Sequence, residues 1–392
     1  MNRSFRLYLF SRFCSGTAMS LLRASLLWQL WAMTHSEART GALGLFMVVP
    51  GAGLALLGGA IADARDRRRV IQVAQTVSLA ASVALCVLTL TGRISVEAIY
   101  ALAAVLAACG AFENPSRSAL LSQMVPREDL PRAVTWGSTV QALAFASGPA
   151  LAGVVIASVN VGTSYACHAA LALASIGALF FVEVLVPATR RAASWGAVRE
   201  GLAFVRQSPV LLACMGLDLV AVVLGGASAL LPVFADEILQ VGAHGYGLLA
   251  GALEVGALLM SLVLLRLPQM RQAGVLLLAA VAVYGVGTIG FGLSTWFPLS
   301  LGLYALCGAA DQISVVLRQS AVQLSTPDEL RGRVSAVNMI FIVSSNQLSV
   351  VESGFLAAAI GAQQTVVLGG VGVVVVATVV AIAVPTLRRF RL

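Results

Sequence analysis

The chain has 392 residues, of which 59% are hydrophobic and only 11% are charged, and its formal net charge is +8. This composition excludes a soluble globular protein and predicts an all-α polytopic membrane protein. All 25 basic residues are arginine, so the chain has no lysine with which to build a nucleotide-binding P-loop. An ATP-driven pump is therefore excluded.

Twelve apolar segments follow one another along the chain, each close to the roughly 20 residues that cross a bilayer as a helix. They cover residues 5–33, 42–62, 70–91, 97–121, 132–158, 164–186, 210–237, 244–266, 273–294, 298–322, 334–358 and 364–386. With both termini in the cytoplasm, only Arg39 and Arg93 fall in external loops, and Arg23 lies inside the first span. The other arginines then lie at or near the cytoplasmic face, which is the positive-inside pattern.

The longest polar break, residues 187–209, divides the spans into six and six. We therefore predict an N-terminal six-helix bundle at 1–186, a cytoplasmic linker at 187–209 and a C-terminal six-helix bundle at 210–392. Apolar residues recur at helical spacing between Trp195 and Val205. This pattern predicts an amphipathic helix on the inner membrane surface, with a plain linker as the alternative.

The two halves repeat at a constant offset of 201 residues. Arg117 matches Arg318, and the sequence GALG at 41–44 matches GAHG at 242–245. This duplication predicts two related bundles with a binding site near the membrane midplane.

The polar stretch between the second and third spans, residues 58–69, reads GGAIADARDRRR. Four arginines cost too much free energy in lipid, so the stretch forms an aqueous hairpin. It resembles the signature loop of the major facilitator superfamily, Gly-x-Leu-Ala-Asp-Arg-x-Gly-Arg-Arg. The matching positions are Gly59, Asp63, Arg67 and Arg68, whereas Ala64 and Asp66 depart from the usual basic residue and glycine.

Further motifs are similar to one branch of this superfamily, which includes the enterobactin exporter and macrolide-type efflux proteins. They are NPSR at 114–117, VPREDL at 125–130, TPDELRGR at 326–333 and ESG at 352–354. The resemblance implies the major facilitator fold, with twelve transmembrane helices in two six-helix bundles, and secondary transport. The branch exports siderophores, macrolides and other amphipathic compounds, so membership does not identify the substrate.

Charges inside the spans are the main candidates for proton coupling or for the substrate cavity, because each costs roughly 2.5–3.5 kcal/mol at a helix centre. They are Asp311, Arg23, Asp218, Glu254 and Glu113. In the superfamily the first, fourth, seventh and tenth helices line the cavity, which favours all of these except Glu254.

Asp311 is the leading proton site, because a carboxyl group in a low-dielectric cavity can exchange a proton near neutral pH. A fixed structural ion pair is the alternative for Asp311. Arg23 and Glu254 either pair across the two halves or contact the substrate independently. The three histidines, His35, His168 and His244, lie near helix ends, which argues against a histidine proton relay.

A second set of residues is predicted to form a cytoplasmic gate of ion pairs, with topology and lipid anchoring as the alternative. Its members are Gly59, Asp63, Arg67, Arg68, Arg117, Arg318, Glu329, Arg331 and Arg333. In the fifth span, residues 147–153 resemble the antiporter motif of drug/proton exchangers. Gly148, Pro149 and Gly153 predict a kinked helix in close contact with a neighbour, although Ala152 replaces one terminal glycine.

The sequence thus predicts a multi-pass protein of the bacterial inner membrane that exports a small amphipathic compound, siderophore or drug-like, by proton antiport and alternating access. Its partners would be a small-molecule substrate, protons and membrane lipid, and it would act as a monomer without nucleic acid, metal or cofactor. It is not predicted to be an enzyme. The alternatives are an importer of a small solute on the same fold and a non-transporting scaffold or sensor.

Overall fold

The computed structural model describes residues 3–126, 129–183, 195–264, 266, 272–327 and 330–388. Of the described residues, 89% are helical and none forms a strand. The helices are α1 (Arg3–Thr34), α2 (Glu37–Gly53), α3 (Ala55–Ala64), α4 (Arg67–Leu90), α5 (Val96–Met124), α6 (Leu130–Ser158), α7 (Val161–Phe180), α8 (Trp195–Gln207), α9 (Pro209–Gly225), α10 (Leu231–Val233), α11 (Gly242–Leu264), α12 (Ala273–Leu293), α13 (Phe297–Leu324), α14 (Arg331–Ile360), α15 (Ala362–Ala383) and α16 (Pro385–Arg388). A π-helical turn, Phe234–Ile238, follows α10.

Within the described residues, nine helices are long and apolar enough to cross a bilayer on their own. They are α4, α5, α6, α7, α11, α12, α13, α14 and α15. The three other predicted spans correspond to α1, to α2 with α3, and to α9 with α10 and the π-helical turn. The prediction of an all-α membrane protein is confirmed, and the helix count is consistent with twelve spans.

Two of the predicted spans are interrupted, where hydropathy indicates a continuous segment. Between α2 and α3 the helix breaks at Leu54, four residues after the helix-interior Pro50. The seventh span breaks after Gly225, whose carbonyl accepts a hydrogen bond of 3.1 Å from the Tyr284 hydroxyl. Proline removes a backbone donor and glycine lowers helix propensity, so each break follows a residue that weakens a helix.

The chain forms two compact units. Unit 1 contains Met1–Thr34, Phe46–Ser194 and Gly242–Gly251, and unit 2 contains the rest. Each unit therefore consists mainly of one predicted half and includes the start of one helix, α11 or α2, from the other half. The predicted boundaries of the linker stay a prediction, because residues 184–194 lie outside the described part of the chain.

The amphipathic helix α8 packs against protein within unit 2. Val205 is buried in a cluster with Leu211 and Met215 of α9 and with Val334 and Val337 of α14. The apolar face that predicted contact with the membrane surface therefore contacts neighbouring helices at this point. An ion pair between Glu200 of α8 and Arg333 of α14 lies beside this contact.

Candidate functional site: two buried arginine–carboxylate centres

The centre of unit 2 joins α9 to α13. Asp218 on α9 and Arg318 on α13 form an ion pair, and both are buried. Asp311 and Ser314 lie seven and four residues before Arg318 on α13, so all three occupy one face of that helix. A desolvated arginine requires a carboxylate partner, and Asp218 supplies it from the neighbouring helix.

A small cavity opens beside this ion pair. Its polar lining consists of Asp218, Tyr284, Asp311 and Ser314. Within the described residues, the Asp311 carboxylate makes no hydrogen bond and no ion pair. The cavity volume is about 10 Å³, which is room for about one water molecule. Its size suits a proton or water better than a whole amphipathic substrate.

The centre of unit 1 lies on α5, where Glu113 and Arg117 pair one helical turn apart at 2.6 Å. Ser15 and Gln75 donate to the same Glu113 oxygen, Oε1, at 2.6 and 2.9 Å. Arg117 in turn donates to Ser11 at 3.2 Å and to Ser175 at 3.1 Å. This centre is thus a hydrogen-bonded network that involves four helices, α1, α4, α5 and α7.

The duplication places the two arginines at equivalent turns but gives them different carboxylates. The position of Glu113 is occupied in the second half by Ser314, and Asp218 replaces it from another helix. In unit 1 the carboxylate oxygen that meets the arginine also accepts two neutral donors, whereas in unit 2 a second carboxylate, Asp311, is left over. The Glu113 oxygen therefore accepts three hydrogen bonds, whereas the Asp311 carboxylate accepts none within the described residues.

The structure therefore brings together residues that the sequence assigned to separate sites. Arg117 and Arg318, predicted for the gate, are buried inside their own units beside Glu113 and Asp218, predicted for the cavity. Sequence reasoning missed the neutral partners Gln75 and Tyr284 and the serines. These side chains did not stand out in the sequence, because a neutral polar side chain costs less free energy in a membrane helix than a charged one does. The available signal was helical spacing, since Ser314 lies three residues after Asp311.

The arginines of the signature loop bind backbone carbonyls. Arg67 donates to the carbonyl of Ala119 at 3.0 Å, and Arg68 donates to that of Val182 at 2.9 Å. These bonds connect the start of α4 to α5 and to the residues after α7. The Val182 carbonyl lies beyond the end of α7, where no helical donor is available, so arginine is a favourable partner there.

The close backbone contact in the signature loop belongs to Gly58. A Cβ atom on Gly58 would overlap the Ala111 carbonyl of α5, whereas Gly59 has open space around it. Pro115 explains the free carbonyl, because it lacks the N–H group that would bond to Ala111.

The rest of the predicted gate is only partly visible. Glu329 lies outside the described residues, as do the side chains of Asp63 and Arg331. The gate accordingly stays a prediction. Arg23 on α1 and Glu254 on α11 are both half-buried, and their pairing stays a prediction too.

The antiporter-like segment of α6 makes two close helix contacts inside unit 1. A Cβ atom on Gly148 would lie 2.7 Å from the Leu21 nitrogen and 2.8 Å from the Thr17 oxygen of α1. On Gly153 it would lie 2.6 Å from the Cα of Gly247 of α11. The segment is thus a contact surface between backbones, with Pro149 inside the helix.

We expect Gly148→Ala to lower the free energy of unfolding by about 1–3 kcal/mol, because backbone atoms of α1 cannot move aside as a flexible side chain would. Gly177→Ala is the matched control, since nothing lies within 4 Å of a Cβ atom at that position. Thermal unfolding in detergent, followed by a thiol-reactive dye on the buried cysteines Cys14, Cys109, Cys214 and Cys307, measures both. Equal stability of the two variants would contradict the close contact.

Known proteins with similar sequences identify the family of this chain. Residues 16–390 match the family described as transmembrane secretion effector, within the major facilitator superfamily. The chain belongs to this family. It is 26% identical to the enterobactin exporter EntS of Shigella boydii serotype 18 and to that of Escherichia coli O1:K1, over 99% of this chain and 93% of each relative.

Solved structures of major facilitator transporters share the fold of this chain. A bacterial homologue of the human lysosomal transporter Spinster matches with a TM-score of 0.74 and 14% identity, covering 100% of this chain and 99% of that one. A D-xylose–proton symporter matches with a TM-score of 0.74 and 14% identity, over 99% of both chains. The protein is therefore a multi-pass membrane transporter and not an enzyme, as the sequence predicted.

Proposed function

We propose that this protein exports a small amphipathic compound, a siderophore or a drug-like molecule, in exchange for protons. It works by alternating access in a bacterial inner membrane, with both termini in the cytoplasm. The similarity to enterobactin exporters supports the direction and the siderophore class. The arginine distribution supports the orientation, because the positive-inside rule places most arginines in the cytoplasm.

The observation that carries the proton coupling is the Asp311 carboxylate, which lines the cavity of unit 2 beside Asp218 and has no partner among the described residues. Asp218 and Arg318 neutralise each other, so an ionised Asp311 leaves the centre with one net negative charge. A buried uncompensated charge is costly, and a proton removes it. The carrier can then return with a neutral centre after releasing its substrate outside.

Substrate from the cytoplasm completes the cycle by displacing the proton. The carrier reorients at low energetic cost only when the centre of Asp218, Arg318 and Asp311 is neutral, or when bound substrate compensates its negative charge. Protons therefore move inward on the return step, and substrate moves outward on the other. The small volume of the cavity supports this division, in which Asp311 holds the coupling proton and the substrate occupies other surfaces.

Everted membrane vesicles from an expressing strain that lacks its own exporters test this function. Their lumen corresponds to the outside of the cell and becomes acidic during respiration. Labelled enterobactin is the first probe and the cationic dye ethidium is the second. We expect accumulation of at least one probe above vesicles without the protein, and its loss when nigericin collapses the pH gradient. Accumulation only with an alkaline lumen would indicate an importer, and no accumulation of either probe would contradict export of both compound classes.

A further inference from the structure

Unit 1 contains a continuous set of buried polar side chains where α7 packs against α1 and α4. We call it the polar seam, and its members on α4 and α7 are Gln75, Ser78, Ser82, Ser164, His168 and Ser175. Each is at most 6% exposed. These residues take no part in the proton coupling proposed above for Asp311, although the seam reaches Glu113 in the centre of unit 1.

Hydrogen bonds connect the two helices at successive levels of the seam. Gln75 donates to Ser175 at 3.0 Å, and Ser82 bonds to His168 Nδ1 at 2.6 Å. Ser164 bonds to Ser25 of α1. Buried polar groups of this kind are stabilising only when they are satisfied, so these pairings define a specific path.

Hydrogen bonds extend the seam at both of its ends. At the end with few arginines, Tyr165 donates to Gln29 at 2.5 Å, and Gln29 donates to the half-buried Thr89 near the end of α4 at 3.0 Å. At the other end, Gln75 donates to the Glu113 carboxylate at 2.9 Å. The Gln75 Oε1 atom is buried and has no donor among the described residues, which is a position that ordered water normally satisfies.

The spacing of the levels is short enough for water to connect them. The rise of an α-helix places Ser78 about 4.5 Å and Ser82 about 10.5 Å beyond Gln75 along α4. On α7, Ser164 lies about 6 Å beyond His168. One water with two hydrogen bonds spans about 5–6 Å, so each gap requires one bridging molecule.

His168 occupies the middle of this path. It lies seven residues into α7, about 10 Å from the helix end, and therefore deeper than the sequence indicated. Ser82 is its only hydrogen-bond partner among the described residues. A neutral imidazole can accept a proton on one ring nitrogen while it releases a proton from the other, which is the property of a relay.

The second half shows that a bundle of this kind does not need the polar seam. At the offset of 201 residues, Gln75, Ser78 and Ser82 correspond to Leu276, Ala279 and Val283. Ser164, His168 and Ser175 correspond to Thr365, Gly369 and Val376, so only one hydroxyl group remains. The seam is therefore specific to unit 1, which points to a function other than packing.

We propose that the polar seam is a proton path across unit 1 and that Glu113 is a second proton-binding carboxylate at its inner end. The proposal rests on proton-coupled export. A proton from the outer water passes along waters, hydroxyl groups and the His168 imidazole, each of which releases one proton as it accepts another. It ends on the Glu113 carboxylate, weakens the pairing with Arg117, and leaves to the cytoplasm when Glu113 ionises again.

The groups that act electrostatically on Glu113 come from two helices. Arg117 lies on the same helix and stabilises the ionised carboxylate, and Cys109 lies one turn earlier. His168 on α7 interacts with Glu113 from the seam.

Ser82→Val tests the path, because it removes the hydroxyl group that bonds to His168. Thr365→Val is the matched control, a buried hydroxyl at the equivalent of Ser164 in unit 2. Proteoliposomes carrying the probe that the wild type transports are assayed for counterflow and for efflux driven by a pH gradient. We expect Ser82→Val to keep counterflow and to slow gradient-driven efflux about tenfold or more, while Thr365→Val matches the wild type in both.

A second measurement examines Glu113. In Glu113→Gln, the number of protons exchanged per substrate should fall by one, read from the pH gradient that balances a fixed substrate gradient. A Ser82→Val variant with wild-type gradient-driven efflux, or one that loses counterflow in equal measure, would overturn the path. An unchanged proton ratio in Glu113→Gln would overturn the second proton site. A wild type that does not respond to the pH gradient would overturn this proposal together with proton-coupled export.

Discussion

Asp311→Asn is expected to abolish uphill efflux while substrate exchange continues. Asparagine has nearly the shape of a protonated aspartate, so the centre beside Asp218 and Arg318 stays neutral throughout the cycle. Counterflow requires only that the loaded carrier reorients, and it should remain within about threefold of the wild type, which corresponds to less than 1 kcal/mol. Coupling requires the empty carrier to wait for a proton on Asp311 before it returns. With this centre permanently neutral, the carrier can return without that proton whatever the state of Glu113, so efflux driven by a pH gradient should fall to the level of protein-free liposomes.

Both modes are measured in the same proteoliposomes. Ser314→Ala is the control, because Ser314 lines the same cavity and carries no charge. It should retain coupled efflux. Loss of both modes in Asp311→Asn would identify Asp311 as a structural or substrate-binding residue. Retention of both would place the coupling proton elsewhere, for example on Glu113.

Arg318→Met should destabilise the protein more than any other single change considered for unit 2. It leaves Asp218 ionised and buried without a partner, and breaking a buried pair in this way costs about 3–5 kcal/mol. Adding Asp218→Asn removes the stranded charge, so the double variant should regain a large part of the loss. The free energy of unfolding, from denaturant titration in detergent micelles, gives the coupling energy of the pair.

The Glu200–Arg333 pair provides a matched comparison, because both of its side chains are substantially exposed. Arg333→Gln should cost less than about 1 kcal/mol, as exposed ion pairs generally do. Strict additivity of the Asp218 and Arg318 substitutions would refute the buried pair. A similar cost for Arg333→Gln and Arg318→Met would show that burial is not the cause.

The fold of this protein could be predicted from its sequence because lipid leaves few choices. A chain in hydrocarbon must satisfy its backbone hydrogen bonds internally, so apolar segments of sufficient length become helices. The same reasoning failed within two spans, at Leu54 and after Gly225. Hydropathy averaged over a segment does not reveal such a break. The carbonyl freed by the break can bind a distant residue, as the Gly225 carbonyl binds Tyr284.

The partners of the charged residues could not be predicted from the sequence. Glu113 and Arg117 pair within one helix, yet their sequence context assigned them to separate sites. Asp218 and Arg318 are 100 residues apart in the sequence. Their pairing depends on how α9 packs against α13, and one sequence contains no local signal for that.

Local sequence determined which residues cannot face lipid and which segments form helices. Tertiary packing decided which helix faces contact each other, as three cases show. Gly58 contacts α5 and Gly59 does not, Val205 packs α8 against protein, and Asp311 has no partner in the part of the chain that the structure describes. The physical reason is that hydropathy and helical period are properties of single segments, whereas close contact, burial and ion pairing are properties of pairs of segments brought together by the fold.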